Sequence, residues 1–179
     1  MPNAILDPTG ATTAAAQLKA PRAPRRTDLA GATVGLLVNT KQNAAPFLDE
    51  VGRLLIERYG ATGTVARTKV NFAAPAPEAL VKEMAASCDV IITGIGDCGS
   101  CSASAVADGI VFEAAGLPAA AICSDAFGVT ADAMADLRGA PGYRYATTPH
   151  PVAVLTPDQV KQRAATVLDD VVALLTEKE

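Results

Sequence analysis

The sequence predicts an α/β protein with a doubly wound, mostly parallel five-stranded sheet in a flavodoxin-like or Rossmann-like three-layer sandwich. Short apolar runs alternate with helical segments from residue 32 onward, which is the order that builds βαβ units. The first run, residues 33–38, is continuous, as in a parallel strand covered on both faces. Half of the 179 residues are hydrophobic but only 4% are aromatic, so the core must consist of the small aliphatic side chains that pack between helices and a sheet.

Five short runs are predicted to form the strands, because each is apolar and too short for a helix. In chain order they cover residues 33–38, 64–67, 89–93, 118–123 and 143–147. Parallel strands of this kind need a crossover helix between them.

Five helical segments follow these strands in turn. They cover residues 43–58, a segment that Pro77 opens, 102–115, 126–138 and 156–175. Gly60, Gly116 and Gly139 are placed to end three of them, because glycine accepts the left-handed conformation of a helix stop. Thr156 and Pro157 are typical of the cap and the first position of the last helix.

We expect residues 1–30 to form an extended N-terminal arm and residues 31–179 to form a single α/β domain. The arm is rich in Ala, Pro and Thr and has no apolar period. Residues 5–8, Ile-Leu-Asp-Pro, could dock on this domain or on a partner subunit. The arm and the Ala-rich helices suit a homodimer or a pair with a related subunit.

Charge and composition limit the kinds of molecule that this chain is expected to bind. The net charge is −4, which argues against an electrostatic grip on nucleic acid. No apolar run reaches the roughly 20 residues that span a bilayer, and the N-terminus lacks the pattern of a signal peptide. Four cysteines are too few for a disulfide scaffold in a chain of this length. We therefore expect a cytoplasmic protein that acts on a small molecule.

Reactive and polar side chains follow the predicted strands. In doubly wound sheets, ligands bind beyond the carboxyl ends of the strands, so these residues should share one edge and form an active site. They are Asn39, Lys41, Lys69, Asn71, Asp97, Cys98, Cys101, Ser124 and His150.

The loop after the third strand reads Thr-Gly-Ile-Gly-Asp-Cys-Gly-Ser-Cys over residues 93–101. A thiolate at a helix start is stabilised, and its pKa falls. In a C-x-x-C pair, Cys98 can attack while Cys101 resolves. The alternative is a phosphate loop, since Gly94, Gly96 and Gly99 nearly complete a G-x-G-x-x-G pattern. That loop should follow the first strand, however, and an acidic ribose ligand is missing.

Other residues on this edge have both a chemical and a structural interpretation. His150, fixed between two prolines, could be an acid, a base or a thiolate partner, and Asp97 could shuttle its proton or cap the loop. Lys41 and Lys69 could bind a carboxylate, although a solvated lysine is the ordinary case. The groups predicted to bind and orient the substrate are Asn39, Lys41, Gly96, Gly99, Ser100, Ser102 and Ser124.

The two remaining cysteines, Cys88 and Cys123, are interpreted as structural strand residues. A metal centre is an open alternative, because Cys98, Cys101, Cys123 and His150 would make a Cys₃His set, although a second paired knuckle is absent. We expect no bound cofactor, since the run after the first strand is not a phosphate loop.

Residues 94–101, Gly-Ile-Gly-Asp-Cys-Gly-Ser-Cys, resemble the signature of the UGSC family of selenoproteins and their cysteine homologues. In this resemblance Cys98 stands at the selenocysteine position and Cys101 is the second thiol. Residues 5–8, 35–44 and the Pro-His-Pro of 149–151 are also similar to the family. The family's stretch after the second thiol contains an aromatic residue and a histidine, which residues 102–107 lack, whereas Asp108 is retained.

The resemblance implies a thiol oxidoreductase-like enzyme, because selenocysteine usually stands at a redox or nucleophilic centre. We expect Cys98 to attack, Cys101 to resolve or assist, and a thiol reductant to restore the pair. The sequence leaves two rivals open: a non-redox nucleophile that uses Cys98 with His150 for addition or elimination, and a Cys/His metal-binding module without catalysis.

Overall fold

The structure is a computed structural model that describes residues 20–176. Over this range the chain forms five strands and five helices in alternation, which confirms the predicted α/β class. The strands are β1 (Thr33–Val38), β2 (Gly63–Thr68), β3 (Val90–Gly96), β4 (Ala119–Ser124) and β5 (Ala146–Thr148). The helices are α1 (Ala44–Tyr59), α2 (Glu78–Ala85), α3 (Gly99–Ala114), α4 (Gly128–Leu137) and α5 (Pro157–Thr176).

All five strands run parallel in one sheet, in the order β2-β1-β3-β4-β5. This is the flavodoxin-like order, whose switch point lies between the first and third strands. Val38 at the end of β1 pairs with Gly94 of β3, so the loops after these two strands leave the sheet side by side. The switch point therefore places Asn39 next to the glycine-rich loop.

Helices cover both faces of the sheet. On one face α1 and α5 pack against β1, β3 and β4 in one apolar cluster, which includes the fully buried Phe47 and Leu48 of α1. On the other face α2, α3 and α4 pack in two clusters, in which Met84 and Phe112 are fully buried. Each such side chain contributes roughly 1.5–3 kcal/mol by leaving water. The three-layer sandwich is therefore as predicted.

Among the strands, the predicted boundaries differ most at β3 and β5. Strand β2, which the sequence predicted over residues 64–67, is an edge strand, and most of its residues are exposed. Strand β3 continues to Gly96, and α3 begins at Gly99 instead of 102, because Cys98 caps the helix. Strand β5 begins at Ala146 instead of 143, since Tyr143 lies before it and its hydroxyl donates to the Ala119 carbonyl at 3.3 Å.

The longest described helix, α5, has 20 residues and buries one apolar face. Thr156 caps it as predicted: the Thr156 hydroxyl accepts from the Gln159 N–H at 3.4 Å, and the Gln159 side chain accepts from the Thr156 N–H at 2.9 Å. This is a capping box. Across residues 20–176, none of the helices combines the length and the apolar character that crossing a bilayer requires.

Residues 20–30, the described part of the arm, run along the surface of the domain without a helix or strand. Leu29 is buried in the α1–α5 core, and Arg25 forms a buried ion pair with Glu113 of α3, with nitrogen and oxygen 2.8 Å apart. The Ala23 N–H donates to the same carboxylate at 2.7 Å. Residues 5–8, predicted to dock on this domain or a partner, lie outside the described residues.

Candidate functional site

Cys98 and Cys101 form a disulfide at the N-terminus of α3. Their Cα atoms are 5.1 Å apart, inside the usual range for a bridged pair. Cys98 is the N-cap residue in extended conformation, and its sulfur accepts from the Cys101 N–H at 3.2 Å. Cys98 is half-buried, whereas Cys101 is fully buried, so only one of the two sulfurs can meet a molecule from solvent.

Gly96 brings the end of β3 against the start of α3 more closely than any other residue could. A Cβ atom at this position would stand 2.7 Å from the Ser102 hydroxyl and 2.8 Å from the Cys123 sulfur. The hydroxyls of Ser102 and Ser124 both donate to the Gly96 carbonyl, at 2.9 Å and 3.0 Å. These two serines are fully buried and hold the loop in place; their predicted contact with substrate stays a prediction.

The Asp97 carboxylate holds the His150 ring. Asp97 Oδ1 is 2.9 Å from His150 Nδ1, and Asp97 Oδ2 accepts from the N–H groups of Val152 and Ala153, both at 2.9 Å. Because Nδ1 faces a carboxylate, it carries the ring proton, and Nε2 is then the nitrogen that can accept a proton. The His150 side chain is 38% exposed, against 4% for Asp97, so the histidine reaches solvent and the carboxylate does not.

Neighbouring groups fix the orientation of His150. Its backbone N–H donates to Asp125 at 3.0 Å, and Phe127 meets the ring edge-on at 5.2 Å between centroids. Asn43 closes the following loop, because its amide donates to the carbonyls of Val152 and Leu155, both at 2.9 Å. The Pro-His-Pro segment is therefore built into the same edge as the two cysteines, as the sequence predicted.

Asn39 and Lys41 follow β1 on this edge. Asn39 is buried, and its amide donates to the Ile95 carbonyl at 2.7 Å while its oxygen accepts from the Lys41 N–H at 3.2 Å. Lys41 lies at the rim, with its ammonium 5.3 Å from the centre of the Phe72 ring, a cation–π contact. Asn39 braces the loop, and Lys41 is the group of the two that can meet a ligand.

Gly99 and Ser100 form the first turn of α3. The Ser100 hydroxyl lies 3.5 Å from the Cys98 sulfur and is exposed. The Cys98 sulfur already takes one N–H of this helix start, that of Cys101, and helix-start N–H groups are what a phosphate loop needs for its ligand. The local geometry thus favours a thiol site over the phosphate cradle.

Lys69 and Asp108 form a buried ion pair on the same edge. Lys69 is 3% exposed, so the expectation of a solvated lysine is wrong for this residue. Its ammonium donates to Asp108 Oδ2 at 2.5 Å and to the Ser104 hydroxyl at 2.6 Å. Burial raises the pKa of Asp108, and the Lys69 ammonium counteracts that shift. The signal in the sequence is the spacing of Cys101, Ser104 and Asp108, which share one helix face.

Cys88 and Cys123 have no access to this chemistry. Cys88 precedes β3 at the opposite edge of the sheet, and burial raises its pKa. Cys123 is fully buried, which raises its pKa to about 12. Both thiols stay protonated at neutral pH, in line with their interpretation as structural residues.

The Cys₃His set is not assembled. Within residues 20–176, no three side chains among His, Cys, Asp and Glu are arranged to hold a metal ion. The sulfurs of Cys98 and Cys101 bond to each other, and Cys123 points to the Ser102 carbonyl at 3.9 Å. The donor geometry therefore does not favour the metal-centre alternative.

A comparison with models of protein families matches residues 4–177 to the UGSC family. The match covers almost the whole chain and includes the glycine-rich loop, the C-x-x-C pair and the Pro-His-Pro segment. A search of curated proteins found no match.

Proposed function

The chain belongs to the UGSC family, and we propose that it is a thiol-dependent, oxidoreductase-like enzyme acting on a small molecule. Cys98 attacks as the thiolate, and Cys101 resolves or assists. The observation that carries this proposal is the pairing of a half-buried Cys98 with a fully buried Cys101 at a helix start. Because of this difference in burial, the Cys98 sulfur can react with the substrate, whereas the Cys101 sulfur can react with Cys98.

Two features favour Cys98 as the attacking group. It stands at the N-terminus of a 16-residue helix, where the helix dipole places partial positive charge. Its sulfur also accepts the Cys101 N–H, a hydrogen bond that strengthens when the sulfur is ionised. Both effects stabilise the thiolate, which is the reactive form.

A thiol–disulfide cycle uses this pair with balanced chemistry. The Cys98 thiolate attacks one sulfur of a small disulfide, forms a mixed disulfide and releases one thiolate. Cys101 then attacks the Cys98 sulfur, closes the Cys98–Cys101 disulfide and releases the second thiolate. A thiol reductant of the cytoplasm is oxidised as it restores the two protein thiols. The partners that we propose are therefore a small-molecule substrate and this reductant.

The Asp97–His150 pair supplies proton transfer in this scheme. Asp97 fixes Nδ1 of the ring, so that Nε2 accepts the Cys98 proton and returns a proton to the leaving group. Lys41 at the rim and the exposed Ser100 hydroxyl are the groups proposed to orient the substrate. Asp97 is a positioning residue, because it acts through the ring of His150.

The second candidate is a non-redox enzyme in which Cys98 adds to an activated carbon. The held Asp97–His150 pair favours it, since simple disulfide exchange needs no dedicated acid and base. The two candidates differ at Cys101. Cys101→Ser stops a redox cycle but leaves addition or elimination active without a reductant.

Alkylation of the fully reduced protein as a function of pH, with mass mapping of each cysteine, tests the proposal. We expect Cys98 to react selectively, with an apparent pKa well below the ordinary value of about 8.5. Cys88 is the internal reference, because burial raises its pKa. If Cys98 reacts no faster than Cys88, the attacking-thiolate proposal is wrong.

A further inference from the structure

The Lys69–Asp108 ion pair lies next to Cys101 and has no part in the cycle described above. The three side chains line one narrow space, which is too small to hold a water molecule. Lys69 and Asp108 are 3% and 1% exposed. Since water cannot enter to screen them, charges in this space act strongly on a neighbouring sulfur.

The geometry of α3 shows which end of the ion pair faces Cys101. With a rise of about 1.5 Å per residue, Ser104 lies about 4.5 Å and Asp108 about 10.5 Å along the axis from Cys101. The Lys69 ammonium bridges the Ser104 hydroxyl and Asp108, so it lies nearer to Cys101 than the carboxylate does. Asp108 is held on its other side by the Ala76 N–H at 2.6 Å.

The backbone of Lys69 is anchored as well. Its N–H donates to the Val38 carbonyl at 2.8 Å, which ties the residue after β2 to the end of β1. The Ser104 hydroxyl donates to the Ala74 carbonyl at 2.9 Å. The ammonium is therefore held in a fixed position, in the narrow space that Cys101 also lines.

We propose that Lys69 is the cation that stabilises the thiolate of Cys101, and that Asp108 and Ser104 position it. This inference rests on the proposed thiol function. When the disulfide closes, the proton of Cys101 leaves through the half-buried Cys98 side of the site, and the Cys101 thiolate attacks the Cys98 sulfur of the mixed disulfide. The bond between Cys98 and the substrate sulfur breaks, and the departing thiolate carries the electron pair away. On reduction Cys101 leaves as the thiolate, which the same cation stabilises.

Other charged groups around Cys101 come from three elements. Asp97, in the loop before α3, is paired with His150 from the loop after β5. Arg138, at the end of α4, acts on Asp108 and favours its ionised form. Asp97, His150 and Arg138 do not line the narrow space beside Cys101; among the described residues, Lys69 and Asp108 are the charged side chains that do.

Stopped-flow reaction of the reduced protein with 5,5′-dithiobis(2-nitrobenzoate) separates the two sulfurs. The first coloured thiolate reports attack by Cys98, and the second reports closure by Cys101. A Cys88→Ser background removes the other thiol with partial access. We expect Lys69→Met to leave the first phase within about twofold and to slow the second about tenfold or more at pH 7, which corresponds to about one pKa unit at Cys101.

Asp108→Asn should act in the opposite direction. It removes the negative charge but keeps a side-chain oxygen that can accept from Lys69 and hold the ammonium in place, so the second phase should be at least as fast as in the parent protein. A merely structural role predicts that both substitutions slow closure. Slowing of the second phase by Asp108→Asn to the extent seen in Lys69→Met would therefore overturn the inference.

Arg25→Met is the matched control, since it removes the cation of the other buried ion pair on α3 and lies far from Cys101 in the fold. Both phases should be unchanged in it; equal slowing by this control would overturn the inference. If circular dichroism shows that Lys69→Met does not fold, Ser104→Ala removes one contact of Lys69 without leaving a charge, and an unchanged second phase there also counts against the inference.

The two proposals fail differently in this experiment. A parent protein without a first phase refutes the attack by Cys98, and the role of Lys69 falls with it. A normal first phase with an unchanged second phase in Lys69→Met refutes the role of Lys69 alone.

Discussion

Helix α3 carries two buried ion pairs that differ in their surroundings. Asp108, in its second half, pairs with Lys69, while Glu113, near its C-terminal end, pairs with Arg25. Both carboxylates are almost fully buried. Both pairs reach the helix from a distant part of the chain, so sequence separation does not distinguish them.

Both oxygens of the Glu113 carboxylate accept hydrogen bonds, which join residues 20–30 and the start of β4 to α3. One oxygen accepts from Arg25 and from the Ala119 N–H at the start of β4, both at 2.8 Å. The other accepts from Arg25 and from the Ala23 N–H. Asp108 has fewer partners, and its ion pair faces a sulfur. The comparison teaches that burial alone does not assign a role to an ion pair; its neighbours do.

The largest expected effect is a loss of turnover when Cys98, at the start of α3, is replaced. Cys98→Ser removes the attacking sulfur at the N-terminus of α3, and the hydroxyl that replaces it is not ionised at neutral pH. Turnover of a small disulfide with a thiol reductant should fall on the order of 10⁴-fold or more. Cys88→Ser is the control and should keep full activity. Retention of a tenth of the activity by Cys98→Ser would contradict the assignment.

The second-largest expected effect is a loss of folding stability when Glu113, near the C-terminal end of α3, is replaced. Glu113→Ala leaves Arg25 buried without its partner, so the free energy of unfolding should fall by about 3–5 kcal/mol. Urea unfolding measures this loss. The alkylation rate of Cys98 in the folded protein should not change. Glu78→Ala, in an exposed ion pair with Lys82, is the control and should have little effect. A comparable loss in both variants would argue against the anchoring role of Glu113.

The third expected effect is a lower turnover rate in His150→Gln, which removes the proposed proton acceptor of Cys98. Without an imidazole to take up the Cys98 proton, the apparent pKa of Cys98 should rise towards its ordinary value, and the rate at pH 7 should fall about tenfold. The deficit should shrink as the pH rises and Cys98 ionises by itself. Turnover measured between pH 6 and pH 10 tests this. A deficit of constant size across that range would show that His150 acts by another route.

The smallest effect concerns Cys123, an inert cysteine near the site. Its pKa is raised from 9.0 to about 12 by burial, so between pH 8 and pH 10 the thiol ionises in the unfolded chain but not in the folded one. The free energy of unfolding should therefore fall with rising pH, by about 1.4 kcal/mol from this group.

Cys123→Ala should remove that part of the decrease, as measured by urea unfolding under reducing conditions at pH 8 and pH 10. Burial also raises the pKa of Tyr143 and Tyr145, but these groups contribute equally in both proteins. An equal decrease in the two proteins would mean that Cys123 reaches solvent in the folded state.

Much of the candidate site could be predicted from local sequence. Cys98, Cys101 and His150 each follow a predicted strand, and a parallel sheet brings the ends of its strands to one edge. The Lys69–Asp108 pair could not be predicted in this way, because Lys69 follows an exposed edge strand and an isolated lysine is usually solvated. Likewise, the local sequence around Ser102 and Ser124 does not reveal that both hydroxyls donate to the Gly96 carbonyl.

The sequence by itself determined the sheet, its helices and the reactive loop, since apolar periodicity, caps and glycine stops act over a few residues. The tertiary structure alone decided that Asp97 holds His150, that Glu113 anchors residues 20–30 and that Lys69 lies beside Cys101. Hydrogen bonds in these three places join residues 35 to 90 positions apart in the chain: Lys69 to Ser104, Asp97 to His150 and Ala23 to Glu113. Only the packing of α3 on the sheet brings them together, because burial then requires each charge to find a partner.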